Sequence, residues 1–151
     1  MGLPRFDHVG VTVSDLMTAV RFFESVGLVP DGPSVAVEGE FIDTVIGMTG
    51  ASTEIVMMRA PGDGTAIELS SFVTPSHEEG TPDAGANVLG LRSLALEVDD
   101  VAATVERLAA DGYPIVGGIG EYEGVWAMAY VRGPDGILLA LAQRLGTEAG
   151  S

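Results

Sequence analysis

The side chains able to carry chemistry in this chain are two histidines and a large set of carboxylates. His8 and His77 are its imidazoles, beside 22 Asp and Glu residues and 7 basic residues, all of them Arg. Imidazole nitrogens and carboxylate oxygens serve as general acids and bases or as ligands of divalent cations. With no Cys and no Lys in 151 residues, the chain has no thiolate nucleophile, no disulfide and no Schiff-base or P-loop lysine.

Composition and charge narrow the function classes further. Hydrophobic residues make up 46% of the chain and charged residues 19%, which is typical of a globular domain. The net charge of −15 repels phosphate backbones and anionic lipids, so we expect neither nucleic acid nor a membrane surface as a partner. No apolar run approaches the roughly 20 residues of a membrane span, and the first residues lack a signal-peptide core. A cytoplasmic protein is the expectation.

An internal repeat organises the chain. Residues 6–20 align without a gap with residues 91–105, at an offset of 85 positions. Further along, residues 59–69 resemble residues 132–141 with one residue deleted. Two ordered matches that include turns indicate a duplicated module rather than two similar strand–helix units.

Each repeat opens with a strand and a helix. In Asp7–Val13 the valines alternate with polar residues, so His8 faces away from the side that packs on a helix. Ser14 or Asp15 is predicted to cap the first helix, and Gly27 to end it. In the second repeat the corresponding cap is Asp99 or Asp100, and the corresponding stop is Gly112.

Three strand-like runs follow each helix, which gives each repeat the order βαβββ. They are predicted over 34–41, 52–58 and 65–73 in the first repeat, and over 115–119, 125–131 and 137–143 in the second. We expect a first module over 1–74, a linker over 75–87 and a second module over 88–151. The predicted fold class is α+β.

The paired modules, with an opening strand His-Val-Gly-Val-Thr-Val and a closing strand Gly-x-x-Ile-Glu-Leu, resemble the vicinal oxygen chelate superfamily. That superfamily includes glyoxalase I, methylmalonyl-CoA epimerase, extradiol dioxygenases, fosfomycin-modifying enzymes and bleomycin-binding resistance proteins. The resemblance covers residues 5–145. It implies that the two βαβββ modules form a curved mixed sheet around a cleft.

The resemblance also implies a divalent metal ion held by the first and last strands of each module. Carried onto this chain, the first module offers His8 and Glu68 as metal ligands. The second module departs from the pattern, because Ser93 stands at the position matching His8 and Ala140 at the position matching Glu68. The expected metal site is therefore reduced to carboxylate, imidazole and water, or the metal is absent.

Other residues are predicted to line the same cleft. If Glu54, Val56 and Met58 face it, Glu54 joins Glu68 as a candidate catalytic base; the alternative is that Glu54 faces solvent or pairs with Arg59 or another Arg. The predicted ligand-binding residues are Trp126, Tyr122, Tyr130, Met58 and Ser93. For the stripe Trp126, Met128 and Tyr130, ordinary core packing is the competing interpretation.

Two functions fit the resemblance. One is a lyase or isomerase of the glyoxalase or epimerase type, which stabilises an enediolate of a small oxygenated substrate in the cleft between the modules. The other is a metal-free protein of the bleomycin-resistance type that binds a cationic or aromatic small molecule. A metal-independent isomerase using His8 and Glu68 as an acid–base pair is a third possibility, so enzymatic activity itself stays open. A homodimer is expected in each case.

Overall fold

The computed structural model describes residues 2–62 and 64–146 and divides the chain into two compact units between Glu79 and Gly80. Unit one contains β1 (His8–Thr12), α1 (Leu16–Ser25), β2 (Val29–Pro30), β3 (Val35–Glu38), α2 (Glu40–Ile46), β4 (Ser52–Arg59) and β5 (Ala66–Thr74). Unit two contains β6 (Ser93–Glu97), α3 (Val101–Ala110), β7 (Gly120–Tyr122), β8 (Trp126–Arg132), a 3₁₀ turn (Pro134–Gly136) and β9 (Leu138–Arg144). The predicted α+β class with two modules is confirmed.

Each unit has one mixed sheet of the same topology. In unit one the strand order is β1-β5-β4-β2, with β3 also paired to β4, and in unit two it is β6-β9-β8-β7. The first and last strands of each unit pair in parallel, while the other pairs are antiparallel. The parallel pair brings the start of the first strand beside the start of the last one. Residues far apart in sequence therefore become neighbours on two adjacent strands at one edge of each sheet.

The helices begin and end at equivalent residues in the two units. The carboxylate of Asp15 accepts the N–H of Thr18 at 2.9 Å, and the carboxylate of Asp100 accepts the N–H of Ala103 at 3.0 Å. Asp15 rather than Ser14, and Asp100 rather than Asp99, therefore cap the two helices. Just after each helix comes a glycine with positive φ, as the backbone reverses direction there. Both helices keep the 85-residue offset of the sequence repeat.

One face of each helix is buried against its own sheet. α1 packs against β4 and β5, and α3 packs against β8 and β9. Fully buried side chains at these contacts include Phe23, Met58 and Leu69 in unit one and Leu108, Leu139 and Leu141 in unit two. Since apolar burial drives folding, these helix-facing residues determine which face of each strand packs on the helix. The opposite face can then carry functional side chains.

The segment 34–41, predicted to be one strand, ends early in the structure. β3 stops at Glu38, and α2 begins at Glu40. Gly39 has φ of 109°, a conformation that breaks the strand and that glycine adopts without strain. The Asp43 carboxylate then accepts the N–H groups of Gly50 and Ala51, both at 2.8 Å, which ties α2 to the start of β4. That part of the strand prediction is wrong.

The segment 115–119 also differs from its prediction. Ile115 forms an isolated bridge with Val131, and the next strand starts only at Gly120. Gly117 and Gly118 interrupt the run, since glycine has no side chain to pack and weakens a strand.

Within the part of the chain that the structure describes, no helix is both long and apolar enough to cross a membrane.

Candidate active site

His8 and Glu68 lie side by side on the face of the first sheet that α1 leaves uncovered. In the parallel pairing of β1 with β5, Glu68 lies opposite Gly10. Gly10 is two residues after His8, so the side chains of His8 and Glu68 lie on the same face of the sheet. The Nε2 of His8 is 3.8 Å from the Oε2 of Glu68. Their side chains are 35% and 30% exposed, and a Cβ added at Gly10 would meet open space. Two chemically active side chains thus lie close together beside open space at Gly10.

This donor pair fits a divalent cation as two of its ligands. Zinc–nitrogen and zinc–oxygen bonds are each about 2.0–2.2 Å, so atoms 3.8 Å apart can both contact one ion. An imidazole nitrogen and a carboxylate oxygen are ligand types that zinc accepts. Among the described residues there is no group of three or more His, Cys, Asp or Glu side chains arranged to hold a metal, so water or substrate oxygens would supply the other positions.

Asp7 completes this cluster, and sequence reasoning missed it. One carboxylate oxygen of Asp7 lies 2.6 Å from the Nδ1 of His8, and the other accepts the Nη2 of Arg5 at 2.7 Å. The hydrogen bond with His8, followed by that with Arg5, lowers the pKa of Asp7 below its usual 3.8. An ionised carboxylate only accepts hydrogen bonds, so this contact suits a His8 imidazole that has its proton on Nδ1. A carboxylate directly before a strand-opening histidine is the sequence signal that could have found it.

The structure does not bring Glu54 or Met58 to this cluster. Met57, not Met58, is paired with Glu68 and shares its face, while Met58 is fully buried. Glu54 pairs with Ser71, on the side where Val56 packs into the core, and is exposed. The expectation that Glu54, Val56 and Met58 face the site is wrong, because these three residues lie on the opposite face of β4 from Met57. Apolar residues occupy both faces of this strand, so the sequence pattern left its orientation unreadable.

The equivalent positions of unit two hold no ligating pair. β6 and β9 pair with the same register as β1 and β5, with Ser93 opposite Leu138 and Ala95 opposite Ala140. Superposing the registers puts Ser93 at the place of His8 and Ala140 at the place of Glu68, as the sequence alignment had it. Ser93 is exposed, whereas Ala140 is 3% exposed. His77 lies exposed in a segment without helix or strand and does not supply a third ligand.

The face of unit two that α3 leaves uncovered carries aromatic side chains. Trp126 is paired with Tyr122 on one side and with Arg144 on the other, so the three side chains form a row across the sheet. The guanidinium of Arg144 lies over the indole of Trp126, 4.3 Å from the ring centroid. Tyr122 is 65% exposed. Tyr130, two rungs further along β8, is half-buried on the same face.

The topology and the repeat define the class of protein. The chain belongs to the glyoxalase/bleomycin resistance protein/dioxygenase superfamily, whose family model matches residues 5–141. This confirms the resemblance found in the sequence. No curated protein sequence matches the chain.

Solved structures with a similar fold include one protein of clear sequence similarity and others of low similarity. A glyoxalase family protein from Bacillus cereus is 38% identical, with a TM-score of 0.92 and 97% of each chain covered. The trypanothione-dependent glyoxalase I of Leishmania major is 20% identical, with a TM-score of 0.63, over 93% of this chain and 87% of that one. An antibiotic binding protein from a Streptomyces species is 23% identical, with a TM-score of 0.60, over 95% and 98%. The last two share the fold alone, and they differ in what they do.

Proposed function

We propose that unit one carries a lyase or isomerase site for a small oxygenated substrate, with His8 and Glu68 holding a divalent cation. The observation that carries the proposal is the approach of His8 Nε2 to Glu68 Oε2 at 3.8 Å on an open sheet face. Glyoxalase I of Leishmania major, which shares the fold, is a precedent for such chemistry in the family.

The cation, when bound, would supply positive charge that stabilises negative charge developing on neighbouring substrate oxygens. The residues of the chain have separate tasks in this reaction. His8 would hold the cation through Nε2, while its Nδ1 side stays in contact with Asp7. The Oε1 of Glu68, the oxygen not turned toward His8, would take up a proton from the carbon next to a carbonyl group and return it. Glu54 has no part in this scheme, because it lies on the other face of the sheet.

The neighbours of Glu68 favour a small substrate. Met57 lies directly beside it on β4, and Gly10 lies beside it on β1. One neighbour offers apolar surface and the other offers space, while Arg5 is already paired with Asp7. A substrate with several anionic groups would find little positive charge at this face of a chain of net charge −15.

The test is metal binding by protein prepared without a histidine tag. Zinc or manganese titrated into the metal-stripped protein should bind at one site per chain. His8→Ala should abolish that binding, while Ser93→Ala, at the equivalent position of unit two, should leave it unchanged. Absence of stoichiometric binding in the wild-type protein, or equal binding by His8→Ala, contradicts the proposal.

A second candidate function rests on the row Tyr122, Trp126 and Arg144 in unit two. Aromatic side chains on an open sheet face offer a platform on which a flat small molecule can stack. Since Arg144 already lies over Trp126, we propose a neutral or anionic aromatic ligand here, whereas the sequence analysis predicted a cationic or aromatic one. The antibiotic binding protein from Streptomyces, which shares the fold, is the precedent.

Trp126 gives this candidate a direct readout, because it is the single tryptophan of the chain. Aromatic carboxylates and neutral polycyclic compounds should quench its fluorescence and raise the melting temperature. Tyr122→Ala should weaken the binding, and His8→Ala should leave it unchanged. If no compound of either kind quenches Trp126, the second candidate fails and the first is untouched. A homodimer and a cytoplasmic location stay proposals that accompany both functions.

A further inference from the structure

We propose that Asp7 is a positioning residue for the pair His8 and Glu68, and that it acts by fixing the tautomer of His8. This inference rests on the proposed function, since it concerns how the same pair is made ready for a cation. It adds a residue that neither the repeat nor the candidate ligands pointed to. The proposal is argued from two observations. Asp7 contacts His8 on one side and Arg5 on the other, and the ring of His8 is oriented with Nε2 toward Glu68.

The geometry around His8 uses one ring nitrogen and leaves the other for Glu68. Asp7 takes the Nδ1 side at 2.6 Å, and Nε2 faces Glu68 across 3.8 Å. The longer of the two separations is beyond hydrogen-bond range, so Nε2 is not committed to Glu68 by a hydrogen bond. With Nδ1 protonated, the lone pair of a neutral imidazole sits on Nε2, the atom aimed at the open side.

Asp7 is itself held in place. Its second carboxylate oxygen accepts the Nη2 of Arg5 at 2.7 Å, so the carboxylate has a partner on either side. Both groups are well exposed, at 54% for Asp7 and 75% for Arg5, and the pair contributes little to stability. Asp7 acts instead on the ring of His8. A free neutral imidazole in water prefers the proton on Nε2, and a proton there would prevent Nε2 from binding a cation. Carboxylates that bond the far nitrogen of a ligating histidine raise its basicity and hold its ring.

Unit two supplies an internal comparison. At the position equivalent to Asp7 it has Arg92, and at the position equivalent to His8 it has Ser93. The carboxylate and the imidazole are thus present together in the unit that has Glu68, and absent together from the unit that has Ala140. This joint presence is what a functional pair predicts, whereas an incidental surface contact predicts no such association.

The tautomer of His8 is measured directly by ¹⁵N nuclear magnetic resonance of the imidazole at alkaline pH, where the ring is neutral. His77→Gln leaves His8 as the single histidine, which removes all ambiguity from the spectrum. In that background we expect Nδ1 to carry the proton. Asp7→Ala should transfer the population to the form with the proton on Nε2. Asp7→Asn, whose amide oxygen can still accept from Nδ1, should give an intermediate result.

Asp31→Ala is the matched control. Asp31 is 57% exposed and is bonded to Arg59 at 2.8 Å, so it resembles Asp7 in exposure and in its arginine partner. It follows β2, which is separated from β1 by two strands. Asp31→Ala should leave the His8 tautomer unchanged. The affinity for zinc, measured on the same proteins, should fall about tenfold in Asp7→Ala and stay unchanged in Asp31→Ala.

The outcomes separate this inference from the proposed function. An unchanged tautomer in Asp7→Ala overturns the inference, even if zinc binds to the wild-type protein. An equal change in Asp31→Ala overturns it as well, since the effect would then be general. If wild-type protein binds no zinc, the proposed function fails, while a tautomer that depends on Asp7 still shows that Asp7 positions the ring. Circular dichroism confirms that each variant is folded before the spectra are compared.

Discussion

The two units share their backbone plan and differ in the side chains on the open face of the sheet. In both, a parallel pair of strands stands beside an antiparallel hairpin, and a helix of 10 residues is capped by an aspartate. The hairpins are closed alike: Arg59 donates to the carbonyl of Gly64 at 2.7 Å, and Arg132 to that of Gly136 at 3.2 Å. His8 and Glu68 nevertheless have no ligating counterparts in unit two.

This difference shows that folding and chemistry constrain separate residues of one module. Caps, turn glycines and helix-facing apolar residues recur because each βαβββ unit must bury the same face. The helix does not pack on the other face of the sheet, so residues of that face such as His8 and Ser93 can diverge between the copies. A proposed cation site in one unit and an aromatic platform in the other are what such divergence produces.

The largest effects should come from what the units share, their cores. Leu69 and Leu141 are both fully buried at the helix-facing side of the last strand. Leu69→Ala and Leu141→Ala should each reduce the free energy of unfolding by about 3 kcal/mol, through lost burial and a residual cavity. Urea denaturation followed by circular dichroism measures this.

Leu3→Ala is the control for both substitutions, since Leu3 is 84% exposed and its removal should cost little. A loss below about 1 kcal/mol at either buried leucine would contradict the assignment of that residue to a core. A clear inequality between the two would show that the cores of the repeats are not equivalent.

A smaller effect should separate the two hairpin glycines. Gly136 has φ of 80°, and a Cβ added there would overlap the backbone of Pro82. Gly136→Ala should therefore cost about 2 kcal/mol or more of unfolding free energy. At Gly64 a Cβ meets nothing within 4 Å, so Gly64→Ala should change stability little. Equal effects of the two substitutions would refute this difference between the hairpins.

How much of this was predictable depends on what fixed each residue. The helix positions followed from the repeat, which also narrowed each cap to two neighbouring residues. The choice of His8 and Glu68 as a pair followed from the family resemblance, because that resemblance implies one ligand on the first strand and one on the last strand of a module. The side chains of β4 did not follow, because Ile55, Val56, Met57 and Met58 are apolar on both faces. Asp7 was missed for another reason: its contact with His8 depends on side-chain geometry at the start of a strand, which periodicity does not encode.

The helix caps give a test at the level of about 1 kcal/mol. Asp100 accepts the N–H of Ala103, while its neighbour Asp99 precedes the cap. Asp100→Ala should lower the free energy of unfolding by about 1 kcal/mol, because it leaves a helix N–H without its partner. Asp99→Ala is the matched control and should have little effect. If Asp99→Ala costs as much as Asp100→Ala, the cap has been placed on the wrong residue.

The smallest effect concerns acid and the cap of α1. The N–H of Thr18 bonded to Asp15, together with the Thr18 side chain, lowers the pKa of Asp15 below its usual 3.8. Because the folded value lies below the unfolded one, this stabilisation is present above about pH 4 and is lost as the pH falls through the folded value. Asparagine caps helices equally well but does not titrate in this range. Melting temperatures between pH 5 and about pH 2 should therefore decline less steeply for Asp15→Asn than for the wild-type protein, and parallel curves would show that the contact makes no contribution to acid sensitivity.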